Sequence, residues 1–221
     1  MTNPQEQPES ESPAQTGTDQ GEDRNSHEAL TVFYERLRHS TDSEELHEFA
    51  RRPLPDRSDQ AAFSRFTALL EAVAGNDHTP VDDRVFLAET MPFPNILVKL
   101  SKDADPKVRQ AVASNRDDKN WLVGILTKDE NPQVRAAALT NPMASWKMRL
   151  EGAQASTTDA DTLDYLGGLG TSTEEGAPLI LASMVRRAVA LNPNTPMETV
   201  KTLAQDDRVE VANAAQKRLD Q

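Results

Sequence analysis

The sequence predicts an all-α protein, a solenoid of short paired helices behind a disordered N-terminal tail. Three observations carry this. Apolar residues recur at helical spacing along most of the chain, one short segment recurs several times, and the composition changes abruptly near residue 26. Of the 221 residues, 37% are hydrophobic and only 5% aromatic. That suits thin helical layers filled by Ala, Val and Leu better than one thick globular core.

The tail, residues 1–26, is built from Glu, Gln, Ser, Pro, Thr and Gly, with Arg24 opposing Glu6, Glu9, Glu11, Asp19, Glu22 and Asp23. Such a segment cannot bury enough apolar surface to offset the entropy of ordering it, so it reads as a disordered acidic tail. Residues 27–80 read as an N-terminal helical cap or degenerate repeats. Leu30, Phe33, Tyr34 and Leu37 place a helix at about 27–39. A second covers about 42–51, with Leu46, Phe49 and Ala50 as an eroded repeat. A third, about 59–75, sets Phe63, Phe66, Leu69, Leu70 and Val73 on one face and closes at Gly75-Asn76-Asp77.

Residues 81–221 form the expected repeat domain. Asp105-Pro106-Lys107-Val108-Arg109-Gln110-Ala111-Val112 recurs as Asn131-Pro132-Gln133-Val134-Arg135-Ala136-Ala137-Ala138. A third copy is Val185-Arg186-Arg187-Ala188-Val189, and a weaker fourth is Val209-Glu210-Val211-Ala212. The anchor valines at 108, 134, 185 and 209 are 26, 51 and 24 residues apart, so one degenerate copy is expected inside the long gap. Asp105 and Asn131 suit the N-cap, and Pro106 and Pro132 the first helical position. Asn115, Asn141 and Asn192 stand where each helix should end, and Pro142 and Pro193 forbid its continuation. A second short helix follows in each unit, marked by Leu122, Ile125 and Leu126, then by Val200, Leu203 and Ala204 behind Thr195-Pro196. Leu97 and Leu100 supply an earlier version. The stretch 151–182, with five of the nine glycines, is irregular: either a degenerate repeat with a loop or a break in the superhelix.

The string Leu191-Asn192-Pro193-Asn194-Thr195-Pro196-Met197-Glu198-Thr199-Val200, with the Asp-Pro-Lys-Val-Arg and Asn-Pro-Gln-Val-Arg openings, resembles the variant leucine-rich repeat family of bacterial proteins. The resemblance covers about 81–221. It implies a HEAT-like, right-handed α-solenoid of paired helices, one of each pair often short. Some relatives carry a cysteine cluster for iron and sulfur; this chain has no Cys, so that feature does not transfer.

Chemistry is sparsely signalled. Without cysteine there is no thiolate metal site or thiol nucleophile. His27, His39, His47 and His78 lack zinc-hydrolase spacing. Gly167-Gly168-Leu169-Gly170 lacks the Gly-Lys-Ser/Thr of a phosphate loop. No catalytic residue, metal ligand or cofactor is therefore assigned. A net charge of −12 repels phosphate backbones and anionic membranes, no apolar run is long enough to cross a bilayer, and the cytoplasm is the default compartment.

The binding candidates are Arg109, Arg135 and Arg186, each following an anchor valine, and Trp121 and Trp146, each near the start of a second helix. The arginine column either grips an acidic partner segment or phosphates, or ties neighbouring repeats through carboxylates such as Asp129. The tryptophans either anchor a partner or fill space between helices; Met143 and Met148 could extend Trp146 into one adaptable patch. The leading expectation is a non-catalytic scaffold binding a protein or peptide. The alternatives are a lyase-type HEAT-like enzyme or enzyme partner, and nucleic-acid binding through the arginine column.

Overall fold

The structure is a computed structural model that describes residues 29–117 and 120–221. The expected tail, residues 1–26, and His27 lie outside the described residues. Thirteen helices follow one another among those described: α1 Leu30–His39, α2 Ser43–Ala50, α3 Gln60–Ala74, α4 Val81–Thr90, α5 Pro94–Leu100, α6 Pro106–Ser114, α7 Val123–Leu126, α8 Pro132–Thr140, α9 Trp146–Gln154, α10 Ala160–Gly167, α11 Leu179–Leu191, α12 Met197–Leu203 and α13 Val209–Leu219. The architecture is an α-solenoid.

Most of these helices span two to four turns, too few to persist alone in water. Their starts follow the expected chemistry. Asp105 accepts the Lys107 N–H, and Asn131 accepts the Gln133 and Val134 N–H groups, with Pro106 and Pro132 at the next position. Stability comes from stacking. Helix α1 packs on α3; α4 packs on α6 and α6 on α8; α9 packs on α11 and α11 on α13. The short helices α5, α7, α10 and α12 flank these three stacks. One apolar core runs from Phe33 to Ala144, a second from Ala153 to Ala215.

Val108, Val134 and Val185 are fully buried, as anchors should be. The fourth anchor is corrected: Val209 is 67% exposed, and Val211 is buried in its place. Val209 stands at the first helical position, where the copies at 108 and 134 carry Pro106 and Pro132. Val211 lies 26 residues after Val185, the spacing of Val108 and Val134. Ile125 is likewise exposed, not part of the buried stripe formed by Leu122, Val123 and Leu126.

The irregularity begins before 151, with a repeat helix that lacks a partner. Helix α9 follows α8 after only five residues, with no flanking helix between them. The approach is tight: a Cβ at Gly152 would lie 2.5 Å from the Leu139 side chain. Helix α9 then starts the third stack, and α10 and the turn at 168–178 lead into α11. Gly170 supports this turn at φ +75°, and a Cβ there would lie 3.0 Å from that of Ala182.

The two valines make the packing testable. Val134→Asp should cost at least ~3 kcal/mol in urea unfolding, because it buries an unpaired charge between stacks. Val209→Asp should leave the transition within about 0.5 kcal/mol of wild type. Equal effects would contradict the assignment of Val211 as the anchor.

Candidate functional site

The arginines expected to form a column do recur at one place in the repeat, but their guanidinium groups point inward. Arg109 Nε lies 2.8 Å from Asp129 Oδ2 and its Nη2 lies 3.0 Å from Oδ1. Arg186 repeats this with Asp206 at 2.6 and 3.1 Å. Arg84, absent from the expected set, forms an ion pair with Asp103, to which its Nη2 donates at 3.3 Å. Each aspartate also accepts a backbone N–H two residues on, from Asp105, Asn131 or Arg208. One carboxylate thus holds the arginine of one stacked helix and orders the approach to the next.

Backbone carbonyls continue the chain of contacts. Arg109 Nη1 donates to Asp103 O, and Arg135 Nη1 donates to Asp129 O and Glu130 O. Arg135 meets no aspartate, because no carboxylate stands at that point of the next unit; its Nη2 reaches only Thr157 O at 3.5 Å. Arg149 in α9 is a member that the sequence conceals. Almost wholly buried, it holds Glu174 through both terminal nitrogens at 2.8 Å and donates to Asn141 O at 3.0 Å. Tyr165 donates its hydroxyl to the same carboxylate at 2.8 Å. Glu174 takes φ +46°, a backbone strain held in place by its hydrogen bonds from Arg149 and Tyr165.

Burial pushes the Asp129 carboxyl up, but hydrogen bonds from Arg109 and the Asn131 N–H outweigh it and leave the group below its ordinary value. Glu174 behaves the same way: burial raises it, and Arg149 and Tyr165 lower it further. Tyr165 is raised by burial and by the adjacent Glu174. Arg109 is raised chiefly by its hydrogen bond to Asp129.

The asparagines form a second ladder. Asn76 Nδ2 donates to Leu37 O and Ser40 O, Asn115 to Ala88 O, Asn141 to Ala113 O and Asn115 O, and Asn192 to Ala153 O and Ala155 O. Each therefore caps the end of the helix stacked before its own. At the last unit Arg218 occupies the asparagine's place and donates to the carbonyls of Asn192, Pro193 and Thr195.

The tryptophans are not brought together as a pair. Trp121 is 59% exposed in the turn before α7 and, with Ile125 and Met148, lines a shallow cavity of about 530 Å³. Trp146 is half-buried at the start of α9, with the Arg149 guanidinium 4.9 Å from its ring centroid. His47 Nδ1 meets the buried Asp83 at 2.8 Å, beside Arg51. Among the described residues no group of His, Asp and Glu could hold a metal ion. The glycine-rich turn serves packing: Leu169 is buried, and its carbonyl accepts from Arg186 Nη1.

A concavity of about 870 Å³ lies over α9, α11 and α13. Ile180, Met184 and Leu191 project into it from α11, with Leu150 from α9 and Ala214 from α13. Arg187, Glu210 and Lys217 supply its charges. Sequence reasoning missed this face, although a signal existed. Helix α11 reads LILASMVRRAVAL, apolar on both sides, while one side alone meets the core.

The comparisons bear on the same segment. Residues 185–208 match the family described as leucine rich repeat variant. That segment is similar to one leucine rich repeat variant unit. The unit starts at the anchor Val185 and contains Arg186, Asn192, α12 and the clasp carboxylate Asp206. No curated protein matches the sequence. Among solved structures, the crystal structure of an engineered protein is 15% identical over 91% of this chain and 92% of that chain, with a TM-score of 0.23. At that score the likeness carries no argument.

Two measurements test the clasps. Asp206→Ala should cost about 3 kcal/mol by leaving buried Arg186 without its counter-charge, whereas Arg187→Ala on the exposed face should cost no more than about 0.5 kcal/mol. A silent Asp206→Ala would remove the clasp from the stability account. For pH, Asp129 and Glu174 lie below their ordinary values of 3.8 and 4.5, so the unfolded chain takes up these protons first. Their stabilisation is complete above those values and is lost as pH falls through the lower folded ones. The thermal midpoint should show a loss setting in below about pH 4.5, and Glu174→Gln should shrink this acid-side component.

Proposed function

We propose that this chain is a non-catalytic scaffold that binds a protein or peptide partner along the face of α9, α11 and α13. The observation that carries this is the row Ile180, Met184 and Leu191, which are 69%, 48% and 51% exposed on one side of α11. These positions are separated by four and seven residues, so they align along the helix axis. Exposed apolar groups gathered in a groove, with charges at its rim, mark interaction sites more often than scattered ones do. The stacking beneath supports the reading, since Arg186 fixes the rotation of α11 through Asp206 and Leu169 O. Cytoplasmic placement belongs to the same proposal. Among the described residues no helix is long and apolar enough to cross a membrane.

The nucleic-acid alternative loses its donors, because Arg109 and Arg186 spend theirs on Asp129, Asp206 and backbone carbonyls. No specific observation favours the lyase-type alternative.

The test is comparative capture from a native extract by wild type, by Ile180→Asp/Leu191→Asp, and by Trp121→Ala/Ile125→Ala, with helicity checked by circular dichroism. The expected outcome is a partner retained by wild type and by the Trp121 variant but lost from the folded Ile180 variant. Identical capture by all three would count against the α11 face.

A further inference from the structure

The groove over α11 also carries cations of its own. The chain is strongly acidic, at −12. Many of its surface cations are already answered: Lys128 and Lys147 by Glu151, Lys201 by Glu198, Lys99 by Glu71. Arg187 and Lys217 are not. Both are exposed, both line the groove, and among the described residues neither is joined to a carboxylate. Arg187 stands inside the apolar row, between Met184 and Leu191 at helical spacing. Glu210 is the groove's single acid.

This combination defines the occupant. From Ile180 to Leu191 the row runs about 16 Å, or three helical turns. We propose that the groove takes an amphipathic helix of a partner protein whose apolar side chains meet Ile180, Met184 and Leu191 and whose flanking Asp or Glu residues pair with Arg187 and Lys217. This rests on the scaffold reading above and adds the partner's chemistry to it. The chain's own N-terminal segment is acidic but has almost no apolar side chains to meet the row. A second copy docked face to face would bring two Arg187 and two Lys217 into one desolvated patch, with only the paired Glu210 residues to offset them.

The probes are two fluorescein-labelled helical peptides, each about 15 residues long, with Leu at i, i+4, i+7 and i+11. One carries Glu between the leucines, the other Lys. Binding is read by fluorescence anisotropy against the full chain, Met184→Glu, and the double variant Arg187→Glu/Lys217→Glu. The altered side chains are solvent-exposed, so the fold should survive, and circular dichroism verifies it. The Glu peptide should bind wild type at least about tenfold more tightly than the Lys peptide. The double variant should invert that order, and Met184→Glu should weaken the Glu peptide about tenfold.

Failure of the Glu peptide to bind, or an order unmoved by the double variant, overturns the proposal. Equal binding of both peptides, lost in Met184→Glu, keeps the scaffold reading and ends the acidic-partner proposal. A groove that binds neither peptide, together with unchanged capture by Ile180→Asp/Leu191→Asp, ends both. Sedimentation supplies the remaining outcome: a wild-type dimer dissolved by Met184→Glu assigns the groove to a second copy and likewise overturns the proposal.

Discussion

Each helix ends in carbonyl groups that have no partner within the helix, and stacking buries those ends. A buried carbonyl without a donor costs free energy comparable to a lost hydrogen bond. The asparagine ladder meets this requirement. Asn115, Asn141 and Asn192 each turn the amide back onto the end of the preceding stacked helix, while the side-chain oxygen accepts the N–H two residues on. An aspartate would fit the space but has no donor when ionised. The residue that stops one helix therefore also fixes its height against the last, and each layer is dimensioned from the one before it.

The arginine clasps fix the rotation as the asparagines fix the height. Arg84, Arg109 and Arg186 each reach an aspartate about twenty residues ahead, which in turn accepts the backbone N–H at the approach to the next stacked helix. Arginine suits this place because its planar fork meets both carboxylate oxygens together. Where the next aspartate is missing, beyond Arg135, the solenoid breaks register. Helix α9 arrives early, and Arg149 takes Glu174 from the far side of the 168–178 turn. The strained backbone of Glu174 is confined to this break.

Much of this was legible in the sequence, and the limits have physical causes. The repeat, the caps at Asp105 and Asn131 and the helix ends at Asn141 and Asn192 all follow from local chemistry. The weak fourth copy misled because it has lost both proline and arginine, and two valines stand two residues apart. Its aspartate still held the register: Asp103, Asp129 and Asp206 each precede a buried valine, Val108, Val134 and Val211, by five residues. Arg149 was concealed because α9 has Ser145 and Trp146 at the cap and first position, where the clear copies have Asx-Pro. The Asn contacts could not be read at all, since their partners are main-chain atoms of another layer.

The exposed face of α11 follows from the same restraints. Arg186 and Arg187 are neighbours in the chain, yet one is buried against Asp206 and the other lies in the open groove. Adjacent helical residues point about 100° apart, so burying the first sets the direction of the second. With Arg186 clasped and Ala182, Val185 and Val189 held in the core, Ile180, Met184, Arg187 and Leu191 have only the outer side left to occupy. A monomer that needed α11 only for stability would gain nothing from apolar residues there. A row of them, interrupted by one cation and held at fixed rotation, is already ordered, which is the arrangement the proposed binding needs to keep its ordering cost low.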